Sequence, residues 1–187
     1  MRRKVCVAIC LCLAILWVKE VSSSSGLPGD FSPGSEPEGF RGIKWGTDLS
    51  SLGKVAESLK EIRTDLSFGG VDIYLRRGDE LTLDGVDLER IEYLFWRGQF
   101  CGVRLYAKGY SDFLALKEAM FARFGPGYQS NKFIERYIWL GKITSLFLRY
   151  NGFSREGTLS MTSSEVYKQW RKYDSEKAKE GAEKRFD

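Results

Sequence analysis

Two stretches of this chain each have the pattern of two β-strands joined by a tight turn, and they constrain the fold more than any other feature. Residues 91–110 read IEYLFWRGQFCGVRLYAKGY, and residues 134–153 read IERYIWLGKITSLFLRYNGF. Both are rich in β-branched and aromatic residues, which fit a pleated sheet, and a turn containing glycine interrupts each one. The sequence therefore predicts two β-hairpins that belong to a sheet.

The two hairpins align at a shift of 43 residues. An amphipathic pattern typical of a helix precedes each hairpin, at about 48–62 and 111–124. We therefore predict an α+β fold of two tandem helix-plus-β-hairpin units, at about 40–109 and 110–165, which form one antiparallel sheet with helices packed on one face. The alternative is a chance likeness between two generic aromatic hairpins. Among the pairs that coincide are Trp96 with Trp139, Gly98 with Gly141, Leu105 with Leu148 and Gly109 with Gly152.

Shorter signals complete the predicted domain. Alternating apolar and polar residues predict a strand over 71–75, and Leu81–Leu83 and Leu159–Met161 are expected to add short strands. Gly125 and Pro126 are expected to end the second helix as a C-cap and a following stop. A final helix is expected where Val166, Trp170 and Tyr173 share one face.

The N-terminus has the layout of a signal peptide over residues 1–23. Arg2 and its basic neighbours form the positive region, Val5–Val18 is an apolar run of 14 residues, and small residues at 21–23 suit a cleavage site. A membrane-spanning helix needs about 20 apolar residues, so no stable membrane insertion is expected after cleavage. The prediction is an exported protein, periplasmic or secreted. An uncleaved N-terminal anchor is the alternative.

The composition of the remaining residues predicts a linker, a folded domain and a charged tail. Residues 24–39 are rich in Pro, Gly and Ser, which predicts a flexible linker. Residues 40–172 are expected to form a single α+β domain, and 173–187 a charged C-terminal tail.

The charge balance argues against polyanionic partners. Of 29 Lys and Arg residues, Arg2, Arg3, Lys4 and Lys19 lie in the N-terminal segment, as does one of the 25 acidic residues, Glu20. The remainder carries 25 cations and 24 anions, so it is nearly neutral. We therefore expect no nucleic-acid partner.

The chain lacks the commonest catalytic side chain, since it contains no histidine. Every Ser-His and Cys-His nucleophile is thereby excluded. Cys101 is the one cysteine after the N-terminal segment; it lies in an apolar strand pattern and is expected to be a buried, unreactive thiol. No phosphate-binding loop or dinucleotide fingerprint is present, so no cofactor is expected. The acidic stretch 79–92 lacks the layout of a calcium loop and is interpreted as a solvated loop, with no metal site.

The tandem helix–β–β pattern resembles the fold of the β-lactamase-inhibitor protein and of the small outer-membrane assembly lipoproteins. The resemblance lies in Trp45-Gly46-Thr47-Asp48, before the first predicted helix, and in Phe95-Trp96-Arg97-Gly98 at the hairpin turn. The opening 40–46, FRGIKWG, is also similar to that of a group of uncharacterised exported bacterial proteins. The resemblance implies binding of other proteins and brings no catalytic residues. The chain has neither a usable lipidation cysteine nor disulfide pairs.

A three-residue turn ending in glycine would place aromatic and arginine side chains together on one sheet face. These residue types are enriched where interfaces concentrate binding energy. We interpret the face as a partner-binding surface, unless the N-terminal arm, the 77–90 insertion, the final helix or a second copy in a homodimer covers it. Its predicted residues are Trp96, Phe100, Arg104, Tyr106, Tyr137, Trp139, Phe147 and Arg149.

The sequence thus predicts a non-enzymatic protein-binding module of the bacterial envelope whose partner is another envelope protein. The alternative is a histidine-free, carboxylate-dependent hydrolase acting on a polysaccharide. A cleft in which two acidic side chains converge would favour that alternative.

Overall fold

The computed structural model describes residues 29–66 and 70–183, so the predicted signal peptide and residues 24–28 of the predicted linker lie outside the described residues. In chain order the elements are β1 (Gly39–Phe40), β2 (Ile43–Lys44), a 3-10 turn (Leu49–Leu52), α1 (Lys54–Ser58), β3 (Leu59–Asp65), β4 (Val71–Arg76), β5 (Thr82–Leu83), β6 (Val86–Asp87), β7 (Arg90–Trp96), β8 (Gln99–Lys108), α2 (Gly109–Phe124), β9 (Arg136–Leu140), β10 (Thr144–Asn151), β11 (Glu156–Ser163) and α3 (Ser164–Glu183).

A seven-stranded antiparallel sheet in the order β3-β4-β7-β8-β11-β10-β9 forms the body of the protein. Each half of the sheet runs from an outer edge strand towards the centre, and the pairing of β8 with β11 joins the halves. The strand pairs β1–β2 and β5–β6 form small separate hairpins. The predicted α+β class with a large antiparallel sheet is confirmed.

The main core lies between α2 and one sheet face, which we call the α2 face. Its helical side is the predicted stripe of Phe113, Leu116, Met120 and Phe124, all buried. Their spacing of three and four residues puts them on one side of the helix. The sheet contributes alternate residues of the central strands, such as Val103, Leu105, Leu159, Leu146 and Leu148.

The opposite side of the sheet, the α3 face, carries the C-terminal helix. Val166 of α3 packs with Trp96 and Cys101 in a second, smaller cluster. Ser163 caps the helix, because its Oγ accepts a hydrogen bond from the Val166 amide at 3.2 Å. The expectation that the helices pack on one face is therefore wrong for α3. The helix also extends to Glu183, through most of the predicted tail.

The first predicted helix, over 48–62, is much shorter in the structure. A 3-10 turn and the five residues of α1 replace its beginning, and β3 starts at Leu59. Gly53 separates the two turns with φ of 53°, a conformation outside the α-helical region that costs little only for glycine. The spacing of Leu59 and Ile62 fits a helix, but in the structure Glu61 pairs with Tyr74 and Arg63 with Ile73, so a bulge at Ile62 interrupts the alternation of β3.

The β7–β8 turn has two residues, not the three that the sequence analysis assumed. Trp96 pairs with Gln99, and both Arg97 and Gly98 have positive φ, as a type I′ turn requires. One extra residue at Cys101 forms a bulge, since Leu94 pairs with Gly102 but Phe95 pairs with Phe100. The extra residue of the bulge offsets the shorter turn, so from Val103 onwards the side chains of β8 lie on the faces that the sequence analysis predicts. The phase is therefore wrong only at the turn end, where Phe100 enters the main core and Cys101 faces α3.

The β9–β10 connection is one residue longer than assumed, because Leu140 pairs with Ser145. A change of one residue moves every side chain of a strand to the other face. Tyr137 and Trp139 therefore point into the main core, and Ile138 lies on the α3 face. Trp139 is fully buried and its Nε1 donates to the Gly125 carbonyl at 2.9 Å.

The structure does not confirm the duplication at a shift of 43. Trp96 and Trp139 lie on opposite faces of the sheet, in different clusters. The hairpin β7–β8 lies inside the sheet, whereas β9–β10 forms one of its edges.

Residues 29–38, which the sequence analysis assigns to the linker, pack against the domain. The Gly29 carbonyl accepts a hydrogen bond from the Leu140 amide at 2.9 Å, and the Ser32 amide donates to the Phe124 carbonyl at 2.8 Å. Phe31 packs edge-on against Phe124, and Glu36 accepts from the amides of the β9–β10 turn. These contacts cover part of the exposed β9 edge, which explains how a Pro- and Gly-rich segment is held in place.

The assignment of Trp139 to the core has a measurable consequence. We expect Trp139→Ala to lower the free energy of unfolding by about 3–5 kcal/mol, because it opens a large cavity and orphans the Gly125 carbonyl. Phe147→Ala, the control on the α3 face, should cost about 1 kcal/mol because Phe147 is only half-buried. Urea denaturation checks both values. Equal losses would contradict the face assignment.

Candidate functional site

The open end of the α3 face is rich in arginine. Directly opposed residues of antiparallel strands share a face, so one row crosses the sheet from β7 to β9. In order, this row contains Arg90, Tyr106, Thr158, Arg149 and Arg136. A neighbouring row carries Glu92, Arg104, Ser160, Phe147 and Ile138. We define the arginine face as Arg63, Arg90, Arg104, Arg136 and Arg149, together with Tyr106 and Phe147.

A fully buried carboxylate, Glu92, organises one half of the arginine face. Arg63 Nη1 and Arg90 Nε each lie 3.2 Å from Glu92 Oε1, and Arg104 Nη1 lies 3.7 Å from Oε2. The Tyr106 hydroxyl donates to Oε2 at 2.9 Å. A buried carboxylate is tolerated only with such a full set of partners. One negative charge meets three positive ones, so the cluster keeps a net positive charge.

Stacking on an aromatic ring helps to hold one arginine of this cluster, Arg90, in place. The Arg90 guanidinium carbon lies 3.7 Å from the centre of the Tyr106 ring, within the range of a cation–π contact. Burial alone would lower the pKa of Arg90, but its contact with Tyr106 and the charge of Glu92 raise it. Arg90 Nη2 also lies 4.0 Å from Glu156 Oε2. The positive charge of Arg90 is therefore fixed in position on the sheet.

The other half of the arginine face lies at the β9 edge and has no such carboxylate. Arg149 and Arg136 are exposed and directly opposite each other. The Arg136 guanidinium lies 5.8 Å from the centre of the Phe147 ring. Within residues 29–66 and 70–183, neither arginine has a carboxylate within ion-pair distance. Two adjacent cations beside an aromatic ring suit an anionic group on a partner.

The eight residues of the predicted partner-binding face separate into two sets. Trp96, Arg104, Tyr106, Phe147 and Arg149 lie on the α3 face, although α3 covers Trp96. Phe100, Tyr137 and Trp139 lie in the main core. Their placement on the binding face was wrong, because the two turn lengths differ from the assumed one.

Four residues of this site were not predicted from the sequence: Arg63, Arg90, Glu92 and Arg136. The alternation Arg90-x-Glu92 along β7 was a usable signal, since these side chains face Tyr106 and Arg104 across the hairpin. Arg63 had no such signal, because the sequence analysis predicts no strand at this position, just after the helix predicted over 48–62.

Cys101 contributes packing rather than reactivity. It is buried beside Trp96, and burial raises the pKa of its thiol to about 12. Its Sγ lies 3.3 Å from the Leu94 carbonyl, to which it donates. The prediction that the thiol is buried is confirmed; that it is unreactive stays a prediction.

Acidic residues of the 79–92 stretch pair with arginines. Asp79 contacts Arg41, and Asp84 lies 3.1 Å from Arg123 Nη1 of α2. Glu92 is the buried centre of the arginine face. The interpretation as a solvated loop is therefore wrong for Asp79 and Glu92, whereas Asp84 keeps an exposed side chain. In the described part of the chain, no three His, Cys, Asp or Glu side chains come together as metal ligands would.

Comparison with protein-family models, with curated proteins and with solved structures finds no match for this chain. Of the helices that the structure describes, none has both the length and the apolar character needed to cross a bilayer.

Removing the charge at the centre of the cluster should destabilise the fold. Glu92→Gln leaves three arginines close together without their shared counterion, so we expect a loss of about 2–3 kcal/mol. This expected loss of stability is smaller than the loss from breaking a fully buried ion pair, because the arginines are partly exposed to water. Added salt should recover part of the loss by screening the repulsion.

The measurement is urea denaturation at low salt and at about 0.5 M salt, where exposed charges are strongly screened. Glu156→Gln is the matched control. The Glu156 carboxylate is partly exposed, and its contact with Arg90, at 4.0 Å, is at the limit of ion-pair distance. We expect it to change stability by less than about 0.5 kcal/mol. If Glu92→Gln were no worse than this control, Glu92 would not organise the cluster.

Proposed function

We propose that this protein is an exported, non-enzymatic protein-binding module of the bacterial envelope, and that its arginine face binds an acidic segment of another envelope protein. The observation that carries the proposal is the pair Arg136 and Arg149, exposed, adjacent and without a carboxylate partner among the described residues. An anionic side chain of a partner would supply the missing counterion. Neighbouring Phe147 and Ile138 would add apolar contact.

The distribution of charge supports an acidic partner. The chain beyond the N-terminal segment is nearly neutral, yet five arginines share one end of one sheet face. Among the described residues, the carboxylates that form ion pairs with these arginines are Glu92, which is buried, and Glu156, which is partly exposed. A local positive field of this kind increases the rate of encounter with acidic partners.

The composition of the face supports a protein rather than a nucleic acid. Phe147 and Ile138 are half-buried apolar residues between the charged ones, and Tyr106 lies beneath Arg90. A polar surface with central aromatic and arginine residues is typical of protein interfaces. A nucleic-acid surface would be expected to extend a basic stripe over a strongly cationic domain.

A single observation favours the alternative hydrolase. Asp79 and Glu89 line the same cavity, of about 250 Å³. However, Asp79 Oδ1 accepts a hydrogen bond from Arg41 and its Oδ2 accepts one from the Tyr93 hydroxyl at 2.9 Å. A carboxyl pair for glycoside hydrolysis needs one group free to donate a proton and one free to act as nucleophile or base. Asp79 serves instead as a structural acceptor, so we prefer the binding function.

We also propose that the two halves of the sheet are tandem units, although the two hairpins do not correspond at a shift of 43 residues. Each half of the sheet begins after a helix at an outer edge strand and then proceeds inwards: α1 leads to β3, β4 and β7, and α2 leads to β9, β10 and β11. This order supports the resemblance to tandem folds that act by binding other proteins.

A labelled acidic peptide tests the proposed surface directly. We expect fluorescein-labelled oligoglutamate to bind the purified protein, and Arg136→Gln with Arg149→Gln to weaken this binding about tenfold or more, because two charge-assisted hydrogen bonds are lost. Raising the salt concentration should weaken wild-type binding more steeply than that of the variant. Fluorescence anisotropy measures both effects.

Lys142→Gln with Arg155→Gln is the control, since it removes the same charge from two turns outside the arginine face. It should bind like the wild type. Equal weakening by both double variants would show a general effect of charge and would contradict the proposal that the arginine face is the binding surface. Single-stranded DNA that bound as tightly as the peptide would favour a nucleic-acid partner instead. Capture from an envelope extract, lost only in the Arg136/Arg149 variant, then identifies the partner.

A further inference from the structure

Two turns at the end of the sheet that carries Arg136 and Arg149 each present a phenylalanine to water. Phe133, just before β9, is 86% exposed, and Phe153, between β10 and β11, is fully exposed. Ile134 beside Phe133 is exposed too. The two phenylalanines are the most exposed large hydrophobic side chains among the described residues. Single exposed hydrophobics are ordinary, but two at one end of one sheet form a candidate docking surface.

The two turns leave the sheet side by side. Strand β9 pairs with β10, and the Tyr150 amide donates to the Glu135 carbonyl at 2.9 Å, so the pairing continues to the base of both turns. Neighbouring strands lie about 4.8 Å apart, which keeps the two turns close together. We call residues 131–134 and 151–155 the phenylalanine tips.

The same local hydrogen bond fixes both phenylalanines. The Asn131 side-chain oxygen accepts a hydrogen bond from the Phe133 amide at 2.9 Å. The Asn151 side-chain oxygen likewise accepts one from the Phe153 amide at 2.9 Å. An asparagine that bonds to the backbone two residues further on stabilises a turn. The backbone therefore holds both rings in water, and an apolar environment outside the protein would bury them favourably.

Cations surround the two rings. Lys132 and Arg155 are exposed residues of the phenylalanine tips. Arg136 and Arg149 lie at the base of the tips. Among the described residues, none of the four forms an ion pair, and the tips contain no aspartate or glutamate. Apolar side chains among unpaired cations are complementary to a surface that is anionic outside and apolar beneath.

The exposure of the rings favours a bilayer over a folded protein as the complementary surface. Side chains as exposed as Phe133 and Phe153 do not line a groove, so a protein partner would need two separate pockets to bury them. A bilayer needs no such fit, because its lipids rearrange around an entering side chain. Phe and Leu beside Lys and Arg are residues with which peripheral segments bind the boundary between headgroups and acyl chains.

We propose that the phenylalanine tips dock this protein on the surface of an anionic phospholipid bilayer. Phe133 and Phe153 enter the boundary between headgroups and acyl chains. Lys132 and Arg155 contact the lipid phosphates. Docking of this kind requires no membrane-spanning helix. It goes beyond the proposed binding of an acidic polypeptide by the arginine face, and either activity holds without the other.

Sedimentation with vesicles tests the proposal. We expect the purified protein to bind phosphatidylcholine vesicles that contain about 30% phosphatidylglycerol at least about tenfold more tightly than vesicles of phosphatidylcholine alone, because the cations then face anionic lipid. Phe133→Ser with Phe153→Ser should weaken binding to the anionic vesicles about tenfold or more, because neither ring is then buried. Lys132→Gln with Arg155→Gln should also weaken it, most strongly at low salt.

Leu66→Ser with Leu140→Ser is the matched control, because these two exposed leucines lie at the opposite end of the sheet. It should bind vesicles like the wild type. All the substituted side chains are exposed, so each variant is expected to fold. Every variant keeps the apolar run 5–18, so that run cannot produce a difference between them.

Spin-labelled lipid locates the docking surface on the wild-type protein. In bicelles that contain this lipid, the amide resonances of residues 131–134 and 151–155 should broaden more than those of the β7–β8 turn. Binding of oligoglutamate to the phenylalanine variant should equal that of the wild type. The two proposals can therefore fail separately.

The proposal is overturned if the protein does not bind anionic vesicles, if the phenylalanine variant binds them like the wild type, or if the leucine control is weakened equally. Broadening at other residues in place of the tips would also overturn it. An envelope protein that the tips capture in the absence of vesicle binding would replace the bilayer by a protein partner.

Discussion

The pairing of β8 with β11 is the contact on which the other features of the structure depend. β8 is the longest strand, and its hydrogen bonds with β11 join two groups of strands that otherwise approach from opposite edges. On one side, the alternation of β8 sends Val103 and Leu105 into the core beneath α2. On the other side, it presents Arg104 and Tyr106 to the buried Glu92. A shift of this pairing by one residue would exchange the core with the charged face.

Glu92 shows how an antiparallel sheet carries several arginines close together. Three guanidinium groups on neighbouring strands would repel one another, and water alone would screen them only in part. A single buried carboxylate reached by all three converts that repulsion into attraction, and the Tyr106 hydroxyl completes its hydrogen bonding. The arrangement ties three arginines to one carboxylate, so a partner would have less side-chain entropy to remove on binding. Arg136 and Arg149 lack such an internal carboxylate among the described residues, and this difference makes them the better place for an external one.

Much of the fold could be predicted from local patterns. The stripe on α2, its end at Gly125, and the two hairpins were all visible, because strong periodicity and turn residues determine them locally. The faces of β9 and of the turn end of β8 were not, since they depend on whether a turn has two, three or four residues. Gly98 and Gly141 looked equivalent in the sequence, yet one belongs to a two-residue turn and the other to a longer connection. Trp96 and Trp139 consequently lie on opposite faces.

The arginine face was harder to predict for a different reason. Net charge averages over the whole surface, and a nearly neutral sum concealed five arginines that come from five strands. Only three-dimensional pairing brings Arg63 to Glu92, which is 29 residues away in the chain. Within the β7–β8 hairpin the pattern was local and therefore readable: Arg90, Glu92, Arg104 and Tyr106 are fixed by one turn and its bulge.

The direct passage from β11 into α3 explains why the α3 face has an apolar end and a charged end. β11 ends at Ser163 and the helix begins at Ser164, so its first turn lies over the end of the sheet next to Gly102 and Thr162. Apolar residues at three- and four-residue spacing, Val166, Trp170 and Tyr173, carry the helix towards Trp96 and the β7–β8 turn, where Arg97 lies 4.8 Å from the Tyr173 ring. Beyond Tyr173 the described side chains are exposed, so the helix has no apolar stripe with which to cover more of the sheet. Within the described chain, α3 therefore packs at the Trp96 end, and the arginines at the other end stay available to a partner.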